Sequence, residues 1–151
     1  MKVLVAEDDA MTREILSSLL TKWGYQPVVT ADGSSAMMVV RQADAPHIAI
    51  LDWMMPGMDG IDVCKRIRER GSLMYIIMLT GKSEKVDLIA GLESGANDYV
   101  NKPFDKDELR VRLQVGARFV ELQNTLAARV KELEAALQEV KDLRSKLDMP
   151  L

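Results

Sequence analysis

The chain has 151 residues, 48% hydrophobic and 28% charged, which predicts a folded protein with room for one domain and an appendage. Its net charge of −3 disfavours direct binding to nucleic acid, because phosphate backbones are bound by clustered lysine and arginine. The single cysteine, Cys64, excludes an internal disulfide, and charges or Gly and Pro interrupt every apolar run before the roughly 20 residues that cross a bilayer. The N-terminus shows no signal peptide, so we expect a cytoplasmic protein that does not span a membrane.

Five short apolar segments predict β-strands. They are Lys2–Ala6, Pro27–Thr30, Ile48–Leu51, Ile76–Leu79 and Asp98–Val100. The first, third and fourth segments are continuously apolar, which is typical of strands that are covered on both faces of a parallel sheet. We therefore expect these three strands to lie in the centre of the sheet.

Segments with helical spacing of apolar residues lie between the strands. The expected apolar positions are Ile15, Leu16, Leu19 and Leu20, then Ile61, Val63, Cys64 and Ile67, then Val86, Ile89, Ala90 and Leu92. Regular alternation of strand and helix predicts an α/β fold, a doubly wound parallel sheet of five strands with helices on both faces. In such folds ligands bind beyond the carboxyl ends of the strands.

A single long helix is predicted from Asp105 onward, because no glycine follows Gly116 and no proline occurs before Pro150. Apolar residues recur along it in steps of three and four, the period of a coiled-coil seam. The seam residues are Phe119, Leu122, Leu126, Val130, Leu133, Leu137, Val140 and Leu147, with Arg144 at one seam position and a stutter where two steps of four follow each other. We expect a homodimer through this helix; the alternative is an amphipathic helix folded back on its own domain.

Acidic residues stand at the ends of the first and third predicted strands. Glu7, Asp8 and Asp9 follow the first strand and Asp52 follows the third, so carboxylates crowd together if these strands are neighbours. A divalent cation relieves the repulsion, and an all-oxygen donor set fits Mg²⁺ better than zinc. The alternative is that the acidic residues after the first strand only cap the next helix.

The fourth and fifth predicted strands add a hydroxyl and an ammonium group at the same edge, from Thr80 and Lys102. A phosphoryl group on Asp52 requires a metal ion, a point charge and a hydrogen-bond donor on its oxygens. Mg²⁺, Lys102 and Thr80 match these three requirements. The pattern therefore predicts that Asp52 accepts a phosphoryl group.

Four motifs together resemble the receiver domain of bacterial two-component response regulators. They are Glu7-Asp8, Asp52 followed by Met55-Pro56-Gly57-Met58-Asp59-Gly60, Leu79-Thr80-Gly81, and Tyr99-Val100-Asn101-Lys102-Pro103-Phe104. The resemblance covers roughly residues 1–122 and implies a flavodoxin-like receiver fold. Residues 123–151 would then be a coiled-coil extension, continuous with the last receiver helix and leading toward an output domain in a longer protein.

The resemblance implies that Asp52 is the phosphoacceptor and that a histidine kinase or a small phosphodonor supplies the phosphoryl group. Asp8, Asp52 and the backbone carbonyl of Met54 would bind Mg²⁺, and Glu7 would act through a bound water. By its spacing to Arg13, Asp8 aligns with the metal ligand of the family, and Asp9 would face the start of the next helix. Which of the two is the closer metal ligand stays open at this point.

The resemblance also implies a switch made of Thr80 and Tyr99, and a cis peptide bond between Lys102 and Pro103. Phosphorylation would change the face formed by the fourth helix, the last strand and the last helix, and so alter a coiled-coil dimer that regulates an output domain or partner. The alternative is a stand-alone dimeric adaptor or scaffold. Beyond self-catalysed phosphoryl transfer we expect no enzyme activity, because an aspartate phosphatase would require an acid where Met54 stands.

Two positions bear on the lifetime of the phosphoryl group. The family places water-orienting groups two residues after the acceptor and two after the threonine, which here are Met54 and Lys82. A methionine sulfur is a weak hydrogen-bond acceptor, so we expect slow self-dephosphorylation. Met54 as a simple surface packing residue is the alternative.

Overall fold

The computed structural model describes residues 1–81 and 85–147, and only the backbone of residues 85–88. Strands and helices alternate along the described chain. The strands are β1 Lys2–Ala6, β2 Gln26–Thr30, β3 Ile48–Asp52, β4 Tyr75–Thr80 and β5 Asp98–Asn101. The helices are α1 Ala10–Lys22, α2 Gly33–Val40, α3 Gly60–Glu69, α4 Lys85–Glu93 and α5 Lys106–Lys146. The predicted alternation and the single long last helix are confirmed.

The five strands form one parallel sheet in the order β2-β1-β3-β4-β5. Strands β1, β3 and β4 therefore lie in its interior, as their continuous apolar runs predicted, and every residue of β3 and β4 is buried. Ala6 at the end of β1 lies opposite Leu51, and Asp52 at the end of β3 lies opposite Leu79. This register brings the residues that follow β1, β3 and β4 to one edge of the sheet.

Helices cover both faces of the sheet. On one face the strands pack with α2 and α3 in a core that contains Leu4, Ala6, Ala36, Met37, Val40, Ala49, Leu51, Val63, Cys64, Ile67, Ile76 and Met78. Successive strand residues point to opposite faces, so the other face contains the equally buried Val3, Val5, Ile48, Ile50, Ile77 and Leu79. The buried leucines of α1 and α5 supply the apolar surface for that second face; they are Leu16, Leu20, Leu109 and Leu113.

Aspartate side chains cap the first three helices at their N-termini. Asp9 accepts a hydrogen bond from the Thr12 amide, Asp32 from that of Ser35, and Asp59 from that of Asp62. Each cap satisfies an amide that has no partner within its helix and stabilises the protein by about 1 kcal/mol. Because each cap lies in the loop after a strand, these bonds also fix how the strand ends lead into the helices.

The predicted apolar face of α4 differs from the observed one. Ile89, Ala90 and Leu92 are exposed, whereas Gly91 is buried, and the side chain of Val86 lies outside the described residues. The physical reason is that the Tyr99 ring occupies the space beside α4. A Cβ added to Gly91 would lie 2.7 Å from Tyr99 Cε2, so α4 contacts β5 through a residue without a side chain.

The chain divides into two compact units, Met1–Ala117 and Arg118–Leu151. The first contains the sheet, α1 to α4 and the beginning of α5. In the second, the apolar seam residues from Leu122 to Leu147 are 45–71% exposed in the single chain. Within the described ranges, no helix combines the length and apolarity that crossing a membrane requires.

Candidate functional site

Three carboxylates meet at the carboxyl edge of the sheet. Glu7, Asp8 and Asp52 each offer an oxygen within 4.8 Å of the others. Glu7 is fully buried, Asp52 is 3% exposed, and Asp8 is exposed. They come together because β1 and β3 are directly paired, the arrangement on which the expectation of an acidic cluster depended.

Lys102 lies between two of these carboxylates. Its Nζ donates to Glu7 Oε1 at 2.7 Å and lies 3.0 Å from Asp52 Oδ1. Its backbone N–H donates to the carbonyl of Thr80, and the peptide bond to Pro103 is cis, as the family resemblance implied. Burial alone would lower the pKa of Lys102, but the hydrogen bonds to Glu7 and Asp52 and the negative charges of these two carboxylates together outweigh burial and raise the pKa above its ordinary value.

Asp52 lies in an environment that disfavours its ionised form. Burial, followed by hydrogen bonding and charge repulsion from Glu7, raises the pKa of Asp52 to about 6, while Lys102 opposes the rise. One ammonium group therefore compensates the three carboxylates incompletely. A further positive charge at this edge would stabilise the ionised form of Asp52.

The donor set fits a hard divalent cation. Glu7 Oε2 is buried and has no hydrogen-bond partner among the described residues. A buried carboxylate oxygen without a partner is costly, so a ligand or ordered water close to it would stabilise the site. Carboxylate oxygens are the ligands that Mg²⁺ prefers, and Glu7, Asp8 and Asp52 supply only oxygen.

In the loop between β1 and α1, the neighbouring residues Asp8 and Asp9 make different contacts. The carboxylate of Asp9 accepts hydrogen bonds from both the amide and the hydroxyl of Thr12, which hold the pKa of Asp9 below its usual value. Asp8 instead belongs to the cluster with Glu7 and Asp52. Asp9 therefore caps the helix and Asp8 joins the cluster, so each of the two alternatives for this acidic segment holds for a different residue.

Thr80 and Tyr99 lie on neighbouring strands at or near the same edge. Thr80 is fully buried at the end of β4. The half-buried Tyr99 ring meets the ring of Trp53 edge to face, with centroids 6.1 Å apart and planes at 86°. Trp53 directly follows Asp52 in the sequence, so the aromatic pair connects the acidic cluster to the side of the sheet where α4 lies.

The loop after β3 holds Met54 at the surface. Met54 is 59% exposed, while the preceding Trp53 amide donates to the carbonyl of Leu79 and the Gly60 amide donates to the carbonyl of Trp53. A Cβ on Gly60 would lie 2.3 Å from the Asp52 carbonyl oxygen, so only glycine fits there. Lys82, the second residue expected to influence phosphoryl lifetime, lies outside the described residues.

Sequence reasoning missed three residues that shape the site. Trp53 and Gly91 pack against Tyr99, and Arg13 donates hydrogen bonds to the loop that contains Glu7 and Asp8. A glycine in the middle of a helix is one signal of close packing that the sequence does contain. No sequence pattern predicts the hydrogen bonds made by the Arg13 side chain, because they depend on how the loop after β1 leads into α1.

A parallel α/β sheet with an acidic cluster, a lysine and a threonine at its carboxyl edge defines the signalling modules called receiver domains. The chain belongs to the response regulator receiver domain family, whose sequence profile matches residues 3–114. It is thus a receiver domain of the kind found in two-component response regulators, which act in phosphorelays.

Similar proteins of known name agree with this assignment. The DNA-binding response regulator MtrA of Mycolicibacterium paratuberculosis is 44% identical over 117 residues, which cover 78% of this chain and 51% of that protein. The DNA-binding response regulator MtrA of Mycobacterium tuberculosis is also 44% identical over 117 residues, covering 78% of this chain and 50% of that protein. The chain thus spans about half the length of the curated relatives it matches.

Solved structures show the same fold. The receiver domain of the Francisella response regulator 1452 has a TM-score of 0.75 and 32% identity, covering 79% of this chain and 98% of that one. The Vibrio cholerae chemotaxis protein CheY4 has a TM-score of 0.71 and 30% identity, covering 76% of this chain and 97% of that one.

Proposed function

We propose that residues 1–122 form a receiver domain that accepts a phosphoryl group on Asp52 in a Mg²⁺-dependent reaction. The donor is a histidine kinase or a small phosphodonor. The observation that supports this most directly is the 3.0 Å distance between Asp52 Oδ1 and Lys102 Nζ, within the same cluster as Glu7 and Asp8. A carboxylate nucleophile and a fixed point charge are the two groups that phosphoryl acceptance requires of the protein itself.

The chemistry assigns one task to each side chain. A carboxylate oxygen of Asp52 attacks phosphorus, and the bond from phosphorus to the donor's nitrogen or oxygen breaks. Lys102 neutralises charge on one phosphoryl oxygen, and the Thr80 hydroxyl donates a hydrogen bond to another. These groups are held in advance by the sheet, so they need little reorganisation when the donor arrives.

The acidic cluster has the task of holding the cation. Asp8, Asp52 and the backbone carbonyl of Met54 would bind Mg²⁺ directly, and Glu7 would act through a bound water. Bound Mg²⁺ supplies neutralisation of negative charge where phosphoryl oxygens meet carboxylates. Two observations support binding of a cation at this edge. Glu7 Oε2 is buried without a hydrogen-bond partner among the described residues, and the pKa of Asp52 is raised.

The phosphodonor protein would dock beside the site. An open cavity of about 580 Å³ lies next to Lys102, and its apolar lining includes Ile15, Leu19, Pro103 and Phe104. Apolar surface beside a reactive group favours a protein donor that buries part of itself there. A small phosphodonor would reach Asp52 without using this cavity.

Phosphorylation would act through Thr80 and Tyr99. If Thr80 moves toward a new phosphoryl oxygen, it vacates space that the Tyr99 ring can fill. Tyr99 contacts Trp53, the neighbour of Asp52, and Gly91 of α4, so its movement would change the packing of α4 on the sheet. The face made by α4, β5 and the start of α5 is therefore the proposed output surface.

Residues 123–151 would transmit the change as a coiled-coil homodimer. The exposed seam of α5 supports this, because a stripe of leucine and valine at coiled-coil spacing gains stability by burial against a second copy. The dimer would regulate an output domain in a longer protein; a stand-alone dimeric adaptor is the alternative. Although the relatives named above are DNA-binding, the net charge of −3 favours DNA contacts outside this segment.

Phosphoryl acceptance is tested by incubating the protein with acetyl phosphate and measuring the intact mass. We expect the mass of one phosphoryl group to be added with Mg²⁺ present, and none after chelation or in Asp52→Asn. Asp44→Asn is the matched control, because Asp44 is an exposed aspartate paired with Lys2. Equal phosphorylation of wild type and Asp52→Asn would refute Asp52 as the acceptor.

The switch is tested by size-exclusion chromatography with light scattering, with Mg²⁺ throughout and with or without beryllofluoride as a phosphoryl mimic. A change in mass or elution that is lost in Asp52→Asn supports a switch through association or dimer shape. No change, with binding of the mimic shown separately, means that the coiled coil fixes the assembly and that the signal is transmitted elsewhere.

A further inference from the structure

Arg13 donates hydrogen bonds to the backbone carbonyls of all three acidic residues in the loop between β1 and α1. Its Nη1 donates to the carbonyl of Glu7 at 3.0 Å and to that of Asp8 at 2.9 Å. Its backbone amide donates to the carbonyl of Asp9 at 3.0 Å, which is the first turn of α1. The Arg13 side chain thus bonds the backbone of Glu7 and Asp8 to α1, in addition to the Asp9 cap.

The Arg13 hydrogen bonds oppose the electrostatic repulsion among the carboxylates of the site. The side chains of Glu7, Asp8 and Asp52 repel one another, and the loop that contains the first two could move away from Asp52. Glu7 is additionally fixed by Lys102. Among the contacts described, Asp8 is fixed through its backbone carbonyl, so its carboxylate depends most on Arg13 for its place.

We propose that Arg13 is a positioning residue that holds the acidic loop ready for cation binding. The proposal rests on the proposed function, since it assumes that Glu7, Asp8 and Asp52 form the cation site. Arg13 touches none of the reacting atoms; it acts through the backbone of the residues that do. Residues that orient metal ligands in this way typically alter metal affinity by about 10-fold to 100-fold when they are replaced.

The sign of the effect separates positioning from simple electrostatics. A guanidinium group near a cation site repels the cation, so removing its charge should tighten binding if charge were its only contribution. If Arg13 positions the ligands, its removal should weaken binding. The two explanations therefore predict opposite changes for the same substitution.

The test measures free Mn²⁺ by electron paramagnetic resonance during titration of the full chain, with Mg²⁺ as the competitor. For Arg13→Ala we expect about 10-fold weaker Mn²⁺ and Mg²⁺ binding. Arg13→Lys, which keeps the charge and a donor, should recover most of the affinity. Arg66→Ala removes an exposed arginine of α3 and should bind like the wild type.

A second readout is phosphorylation by acetyl phosphate at increasing Mg²⁺. The Arg13→Ala defect should be large at low Mg²⁺ and shrink at saturation, because positioning is then enforced by the ion. If Arg13→Ala loses its helical circular dichroism, Arg13→Met takes its place, since it keeps the aliphatic length of the side chain without donors.

Wild type that binds neither ion would overturn the proposed function and this inference together. Wild type that binds both, with Arg13→Ala binding as tightly or more tightly, would overturn only the role of Arg13. Weaker binding in Arg13→Ala, with recovery in Arg13→Lys, would establish it.

Discussion

Lys102 is the only cation within ion-pair distance of the acidic cluster in the part of the chain that the structure describes. One ammonium group thus faces the carboxylates of Glu7, Asp8 and Asp52, and Glu7 Oε2 is left without a partner among those residues. We therefore expect a cation from solution to complete the charge balance of the site. Repulsion among crowded carboxylates destabilises the metal-free protein. A bound cation relieves this repulsion, which increases the affinity of the site for the cation.

The pH dependence of stability follows from Asp52. Its pKa is raised from 3.8 to about 6 by burial and by Glu7, so the folded state disfavours the ionised form. Stability should therefore fall as pH rises between these values, by up to about 3 kcal/mol at neutral pH. Without divalent ions, we expect Asp52→Asn to unfold at higher urea than wild type at pH 7, with the difference vanishing near about pH 4.

Two comparisons check this expectation by urea denaturation. Added Mg²⁺ should stabilise wild type at neutral pH far more than Asp52→Asn. Asp44→Asn should show no gain at neutral pH, because the hydrogen bond and charge of Lys2 hold the pKa of Asp44 below its usual value. A gain in Asp52→Asn that does not change with pH would contradict the electrostatic explanation.

Met54 should determine how long the phosphoryl group lasts. Its exposed side chain stands two residues after Asp52 and has no strong hydrogen-bond acceptor for a water molecule. Met54→Asn supplies one, and we expect self-dephosphorylation to become roughly 10-fold faster, the effect of one net hydrogen bond of about 1.4 kcal/mol in the transition state. The measurement is the decay of phosphorylated protein after donor removal, with the exposed Met38→Asn of α2 as the control.

At the scale of elements, α4 meets β5 through close contact between a helix backbone and an aromatic ring. Gly91 permits this contact, and the Tyr99 ring in turn lies against Trp53. The apolar pattern of α4 predicted burial of Ile89 and Leu92, which are instead exposed. Periodicity alone gave the wrong face here, because glycine contributes nothing to an apolar pattern and yet allows the closest approach.

Gly91→Ala tests the contact between α4 and β5. In a free helix this change stabilises by about 1 kcal/mol, but here the new Cβ would lie 2.7 Å from Tyr99 Cε2. We expect a net loss of about 1–3 kcal/mol from overpacking and an altered near-ultraviolet circular dichroism of the aromatic pair. In a Tyr99→Ala background the same change should be neutral or stabilising; a loss there as well would refute the clash.

For the whole molecule, the proposed dimer depends on the seam of α5. The seam leucines and valines from Leu122 to Leu147 are exposed in the single chain, which is marginal for an isolated helix and typical of a coiled-coil helix without its partner. Arg144 at a seam position would place like charges opposite each other in a parallel dimer. The seam therefore favours association along most of its length and opposes it near Arg144.

Leu137→Lys should dissociate the dimer and leave the receiver folded. It removes a leucine and introduces a charge in each copy, so we expect a loss of at least about 3 kcal/mol, more than roughly 100-fold in the dissociation constant. Gln138→Lys is the matched control, with the same charge change one residue further on and off the seam. Analytical ultracentrifugation checks both; equal dissociation, or none, would refute the seam as the interface.

The sequence by itself determined the five parallel strands, the three that lie in the interior of the sheet, and the acidic, hydroxyl and ammonium groups at the carboxyl edge. These follow from chain-local patterns: Ile48–Leu51, for example, is apolar throughout and is followed by the functional Asp52. The motifs around Asp52 and Lys102 added the family. The boundary at residue 122 and the roles of the site residues stay predictions; these residues are Glu7, Asp8, Asp52, Met54, Thr80, Tyr99 and Lys102.

Spacing to Arg13 favoured Asp8 over the adjacent Asp9, but only the tertiary structure showed Asp8 in the cluster and what holds it there. The two residues differ because Asp9 caps α1 while Arg13 donates a hydrogen bond to the carbonyl of Asp8. The glycine at position 91 signals close packing, but the sequence did not show that Tyr99 is the residue packed against it. Both depend on distances between segments far apart in the chain or on the path of a loop, which side-chain periodicity does not encode.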